Sequence, residues 1–178
     1  MHPLLSRWDR VELSARADDV LDVYAAAMDV PVAAARARKG ILLSHLDRRG
    51  LRGVAALEGD LLVGIAYGYV GEPGQWWHDQ VAGSMSRSMA RTWLAEAFEV
   101  CELHVRPELQ GHGVGRDLLD TLLSDAGTRT AVLTTPDLET RARHFYRAGG
   151  WQDLVRGLRF PGDPRAFAVL GKELADRA

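Results

Sequence analysis

"ELHVRPELQGHGVGRDLLDTLL", residues 102–123, decides how the rest of the chain is read. A strand-like run stops at Pro107, glycines follow at 111, 113 and 115, and a helix begins at once. Val114, Leu118, Leu119, Leu122 and Leu123 recur at helical spacing, so that helix packs one face on a sheet. Its N-terminus then lies at the carboxyl end of the preceding strand, as strand–helix–strand geometry requires. The first turn of a helix leaves backbone N–H groups unpaired and carries partial positive charge. Glycines there permit positive φ and keep side chains out of the way, which suits a phosphate or pyrophosphate. A tight turn with close helix–sheet packing accounts for the same glycines. G-x-G-x-G also fails the G-x-G-x-x-G dinucleotide pattern, and no G-K-[ST] follows as a phosphate-binding P-loop needs.

Outward from this stretch the pattern is mixed α/β. Residues 98–105 and 130–136 read as strands on either side of a helix over 114–126. Residues 52–71 read as a hairpin around "EGD", and 152–160 and 166–174 as a final strand pair around "PGDP". Residues 10–15, "RVELSA", read as a short strand, with a helix over 17–30 capped by Ser14 or Asp18. A second helical stretch runs from Pro31 to near Gly50. "GEPGQWWHDQ", residues 71–80, reads as a loop, followed by a short helix, and residues 137–148 as a helix stopped by Gly149 and Gly150.

The 178 residues fit one domain, 1–178, and a hydrophobic fraction of 47% suits a full core. With 22 basic against 24 acidic residues the net charge is -2, which gives no nucleic-acid footprint. No window approaches the ~18 apolar residues of a membrane span. The single Cys101 and the lack of a signal-peptide core predict a reducing, cytoplasmic setting.

"QGHGVG" over residues 110–115 matches Q/R-x-x-G-x-G/A, and "ARHFYRAGGW" over 142–151 matches A-x-x-[FL]-Y-x-x-x-G-[FW]. In this order, with a strand between, the pair resembles the GNAT superfamily of acyl-CoA-dependent N-acetyltransferases. The resemblance implies the GNAT fold: a central mixed, largely antiparallel sheet, splayed between two parallel strands and flanked by helices on both faces. It implies acetyl-CoA as acyl donor, its pyrophosphate held by Gln110, Gly111, His112, Gly113, Val114, Gly115 and Arg116. Main-chain groups of Leu103, His104 and Val105 would meet the pantetheine arm. Tyr146 would protonate the departing thiolate, and Glu99, or else Glu102, would deprotonate the amine. His104 and His112 are alternative bases. Glu139 departs from the asparagine common in the family, and Arg141 and Arg143 read as a solvated helix face in preference to contacts with coenzyme phosphate.

Two tryptophans beside a carboxylate make Trp76, Trp77, His78 and Asp79 a candidate wall for a cationic amine. A tryptophan plug with Asp79 as a cap reads equally well. No HExxH or paired Cys/His spacing suggests a metal. The resemblance thus implies transfer to a primary amine, small-molecule or peptide, by direct attack in a ternary complex. A homodimer is a family-level expectation. The contrasting reading is a catalytically silent acyl-CoA-binding module.

Overall fold

The computed structural model describes residues 2–174. Seven strands form one sheet: β1 (Leu4–Trp8), β2 (Arg52–Glu58), β3 (Leu61–Val70), β4 (Ala97–Val105), β5 (Thr130–Pro136), β6 (Gln152–Leu158) and β7 (Phe167–Glu173), in the order β1-β2-β3-β4-β5-β7-β6. The β1–β2, β2–β3, β5–β7 and β6–β7 pairs are antiparallel. β4 and β5 run parallel through Ala97↔Thr130, Phe98↔Ala131 and Glu99↔Val132. The fold is therefore a mixed α/β architecture whose largely antiparallel sheet contains one parallel pair. Among the described residues, no helix is long and apolar enough to cross a membrane.

The described residues divide into two compact units, 2–69 with 100–126 and 70–99 with 127–174. In the first, α1 (Arg10–Ala15), α2 (Ala17–Met28) and α4 (Lys39–His45) bury Leu13, Val20, Val23 and Leu42 against Ala55, Leu62, Ile65 and Tyr67 of the hairpin. α3 (Val32–Arg36) is the short piece between α2 and α4. α7 (Val114–Leu123) buries Val114, Leu118, Leu119 and Leu122 of the stripe expected from its spacing, with Leu123 half-buried. In the second unit, α5 (Trp76–Gly83) and α6 (Arg87–Trp93) flank a core of Val81, Leu94, Ala97, Val132 and Val169. α8 (Arg141–Ala148) completes it.

Five local expectations change. Residues 10–15 are helix, because Asp9 and Glu12 form a reciprocal capping box: the Asp9 side chain accepts from the Val11 N–H and Glu12 accepts from the Asp9 N–H. Strand character instead lies just upstream in β1. Neither Ser14 nor Asp18 caps α2; Arg16 stands at that position without a side-chain cap bond. The helical stretch after Pro31 is two short helices joined by Ala37 and Arg38. Half of the 71–80 loop is the start of α5, and α7 ends at Leu123, short of Ala126.

Arg143 is the largest correction. It is 1% exposed, where its helix pattern predicted solvent. Its guanidinium meets Asp153 at 2.8 Å and Asp137 at 3.4 Å, and Asp137 also takes Arg156 at 2.5 Å and the Gly157 N–H at 2.8 Å. A buried charge persists only when paired and hydrogen-bonded. Burial pushes the Asp137 carboxyl up, but the Gly157 N–H, Arg156 and Arg143 more than offset it and hold it below its ordinary value. Arg143→Met should therefore destabilise the protein by about 3 kcal/mol in urea titration, since it removes the buried cation shared by Asp137 and Asp153 and leaves both carboxylates to the more exposed Arg156. A carboxylate lowered in the folded state contributes stability above its unfolded pKa, near 4, and loses it as pH falls through the lower folded value. The wild type should thus lose stability on acidification below about pH 4, and Arg143→Met should lose less over the same range.

Candidate active site

The glycine loop leaves β4 through Arg106, whose N–H donates to the Val63 carbonyl at 2.9 Å, and a 3-10 turn at Pro107–Leu109. Gln110 folds back so that its Nε2 donates to the Val105 carbonyl at 2.9 Å, which closes the loop on the strand end. Gly111 and Gly113 have φ of 83° and 90°, a region that L side chains rarely enter. Gly113 is the N-cap of α7, and no side chain caps that end. A methyl group built on Gly113 would meet nothing within 4 Å. The first-turn amides of α7 are thus approached past exposed Gly111, His112 and Gly113, with Val114 buried beneath and Gly115 and Arg116 half-buried. This is a positive helix end open to an anion.

On β4, two residues apart and so on one face, Glu102 and His104 line a small cavity under α2 and α4. His104 Nε2 lies 2.5 Å from Glu102 Oε2, and Arg38 reaches Glu102 Oε1 at 3.4 Å. The Arg38 guanidinium also stacks over Tyr24 at 4.7 Å, and Tyr24 meets the His104 ring edge-on at 5.1 Å. Burial pushes the Glu102 carboxyl up, but His104 and Arg38 more than offset this and keep it below the ordinary carboxylate range. Nearby, burial pushes the Tyr67 phenol well up and the His45 imidazole down; the two are 3.2 Å apart. Arg38 and Tyr24 were missed by sequence reasoning. Arg38 lies 64 residues from Glu102, and no local spacing links the two.

In the other unit, Glu99 is 5% exposed at the last residue of the parallel ladder. A methyl group built on Gly71 would lie 3.9 Å from Glu99 Oε2 and 3.6 Å from His78 Cδ2, so the carboxylate and the ring both border Gly71. His78 is buried, with Nδ1 3.2 Å from Asp79 Oδ1. Asp79 accepts from the Gly74 N–H at 3.0 Å, and that bond, then His78, holds its carboxyl below the usual range. Trp77 is packed into the core and donates its indole N–H to Thr134 Oγ1 at 3.2 Å. Trp76 is 57% exposed and stacks on Phe160 at 5.4 Å. The four residues of "WWHD" therefore part company: Trp77 and His78 point inward, Asp79 ties a turn, and Trp76 faces out.

Tyr146 lies on α8, half-buried, between Phe145 at 5.2 Å and Trp151 at 5.7 Å, both in edge contacts. The helix starts at Thr140, whose hydroxyl accepts from the Arg143 N–H, and Glu139 pairs with Arg147 at 2.9 Å.

Residues 54–153 match the family model described as acetyltransferase (GNAT) domain, more than half of the chain. This chain belongs to the GNAT acetyltransferase family. It is 37% identical to the GCN5-like protein acetyltransferase Rv2170 of Mycobacterium tuberculosis, over 92% of this chain and 94% of that one. Its fold is shared with a GNAT-family protein of Desulfovibrio desulfuricans (TM-score 0.69, 18% identity, 97% and 99% of the two chains). It is also shared with yncA of Salmonella typhimurium, solved with its cofactor acetyl-CoA (TM-score 0.62, 15% identity, 100% and 97%). As a GNAT acetyltransferase it is a transferase that uses acetyl-CoA, and the start of α7, which no side chain caps and where Gly113 faces open space, fits a pyrophosphate. Among the described residues, no group of three or more His, Cys, Asp or Glu is placed to hold a metal ion.

Proposed function

We propose that this GNAT acetyltransferase moves an acetyl group onto a primary amine by direct attack of the amine within a ternary complex. The observation that carries the reading is the uncapped N-terminus of α7, with glycines at φ of 83° and 90° in front of it. In the Gln110–Arg116 loop the Gln110 and Arg116 N–H groups donate to the Pro107 and Gly113 carbonyls, and the backbone N–H groups between them would hold the coenzyme pyrophosphate, with main-chain groups of Leu103, His104 and Val105 on the pantetheine arm. Acetyl-CoA supplies the activated acyl group as a thioester.

The chain's own residues manage two protons. An amine is protonated at neutral pH and must lose a proton before it attacks. Glu99 is the preferred base: it ends the parallel β4–β5 ladder, and its carboxylate borders Gly71. Glu102 ranks second, because His104 and Arg38 already stabilise its ionised form and so weaken it as a base. Tyr146 carries the proton that the departing sulfur takes up; a phenol near pKa 10 matches a thiolate of slightly lower pKa.

For the acceptor, exposed Trp76 favours a small cationic amine held against a ring face. A protein amine is the second reading, favoured by the M. tuberculosis relative's description as a protein acetyltransferase. Release of free coenzyme A thiol from acetyl-CoA, followed across pools of small amines and of lysine-bearing proteins, tests both. Release with the small-amine pool supports the first, and release with the proteins alone replaces it by the second. No release with either pool contradicts N-acetyl transfer.

A further inference from the structure

A base that is 5% exposed has to dispose of the proton it takes, and the surroundings of Glu99 offer one way out. Gly71 follows β3, with its N–H bonded to the Ala97 carbonyl at 3.0 Å. Its missing side chain leaves room for a methyl group, bordered by Glu99 Oε2, the Ala97 carbonyl oxygen and His78 Cδ2, all 3.6 to 3.9 Å from the methyl position. On the far side of the ring, His78 Nδ1 faces Asp79 Oδ1 at 3.2 Å. The Asp79 side chain is 52% exposed while that of His78 is 9% exposed. A buried carboxylate, a buried imidazole and a half-exposed carboxylate thus follow one another from the strand to solvent, with Gly71 beside the first step.

We propose that His78 and Asp79 form the proton exit of Glu99, and that position 71 is glycine because a side chain there would plug it. The exit rests on the reading of Glu99 as the base. Glu99 takes one proton from the acceptor ammonium and becomes a neutral carboxylic acid. That acid gives its proton, directly or through one water at the Gly71 gap, to the ring edge carrying Nε2. The ring gives up the Nδ1 proton to Asp79, and Asp79 releases it to bulk water. Glu99 returns to carboxylate and one proton reaches bulk water; the ring is left neutral with its proton on Nε2, and a half-turn of the ring, which brings the bare Nδ1 to the Gly71 side, resets it, so protons and charge balance over a turnover. The Gly74 N–H that bonds Asp79 keeps its carboxyl acidic, so the proton does not stay there. His78 and Asp79 act through Glu99 and touch no reacting atom.

Gly71→Ala is the informative variant. Its methyl would make only ordinary van der Waals contacts and leave every titratable group in place. Gly71→Ala and His78→Phe should each lower kcat roughly tenfold in dilute buffer, with the acceptor KM and the acetyl-CoA melting shift unchanged. Concentrated imidazole buffer should restore most of the lost rate in His78→Phe, a rescue that a purely structural defect would not show. Glu99→Gln, run beside them, should lose activity that no buffer restores. Unchanged kcat in Gly71→Ala and His78→Phe, or a loss indifferent to buffer, overturns the exit while an inactive Glu99→Gln leaves the base standing. A Glu99→Gln chain that keeps its rate removes both.

Discussion

Tyr146→Phe lowers kcat for thiol release about 100-fold or more, at saturating acetyl-CoA and acceptor, and leaves the acetyl-CoA melting shift where it was. The size follows from the job: proton transfer by a placed side chain contributes 10²- to 10⁴-fold in rate, about 3 to 5 kcal/mol of barrier. The selectivity follows from the packing. Phe145 and Trp151 meet the ring of Tyr146 edge-on, and phenylalanine offers the same ring to both. Only the hydroxyl is lost, and both ring contacts are kept. Steady-state kinetics with thermal melting in the same samples separate the two effects. A kcat within about threefold of wild type would show that water, and not Tyr146, protonates the sulfur.

Gly113→Val is expected to raise the KM for acetyl-CoA at least tenfold, with a far smaller change in kcat. Gly113 caps α7 at φ 90°, so a β-branched residue there costs roughly 1–3 kcal/mol in backbone strain. The side chain meets no protein atom, because the space in front of Gly113 is open within 4 Å. Its bulk therefore lies across the helix end proposed to hold the pyrophosphate. Strain and obstruction can be separated with Gly162→Val, a glycine at φ 83° with equally open surroundings in the turn between β6 and β7. Both variants should lose comparable melting temperature, and only Gly113→Val should lose acetyl-CoA affinity by calorimetric titration. Equal affinity in the two would place the coenzyme elsewhere.

These predictions rest on the segment that was most legible in the sequence. The glycines, the apolar stripe from Val114 to Leu122 and the Ala142-to-Trp151 signature are local patterns, and local physics dictates them: positive φ, helical period and a glycine stop. What escaped was long-range or finely balanced. Arg10 to Ala15 carries too few residues to show a period, and the Asp9–Glu12 capping box settles it as helix. Arg143 sits on a polar helix and reads as exposed; its burial depends on Asp137 and Asp153, which arrive from β5's end and β6. The position of β7 between β5 and β6 has no local signature either. At the site, Glu99 and Glu102 could be named from the strand. The Arg38 partner of Glu102 could not, nor could the Gly71 gap beside His78.

The most direct measurement of the central claim counts products. Purified protein is incubated with acetyl-CoA and the active amine pool, and free thiol is compared with acetylated amine by mass spectrometry. One acetylated amine for each thiol released, in wild type and at a strongly reduced rate in Tyr146→Phe, is the predicted result. Thiol released without acetylated amine, or release indifferent to Tyr146, would contradict an N-acetyltransferase that works through this site.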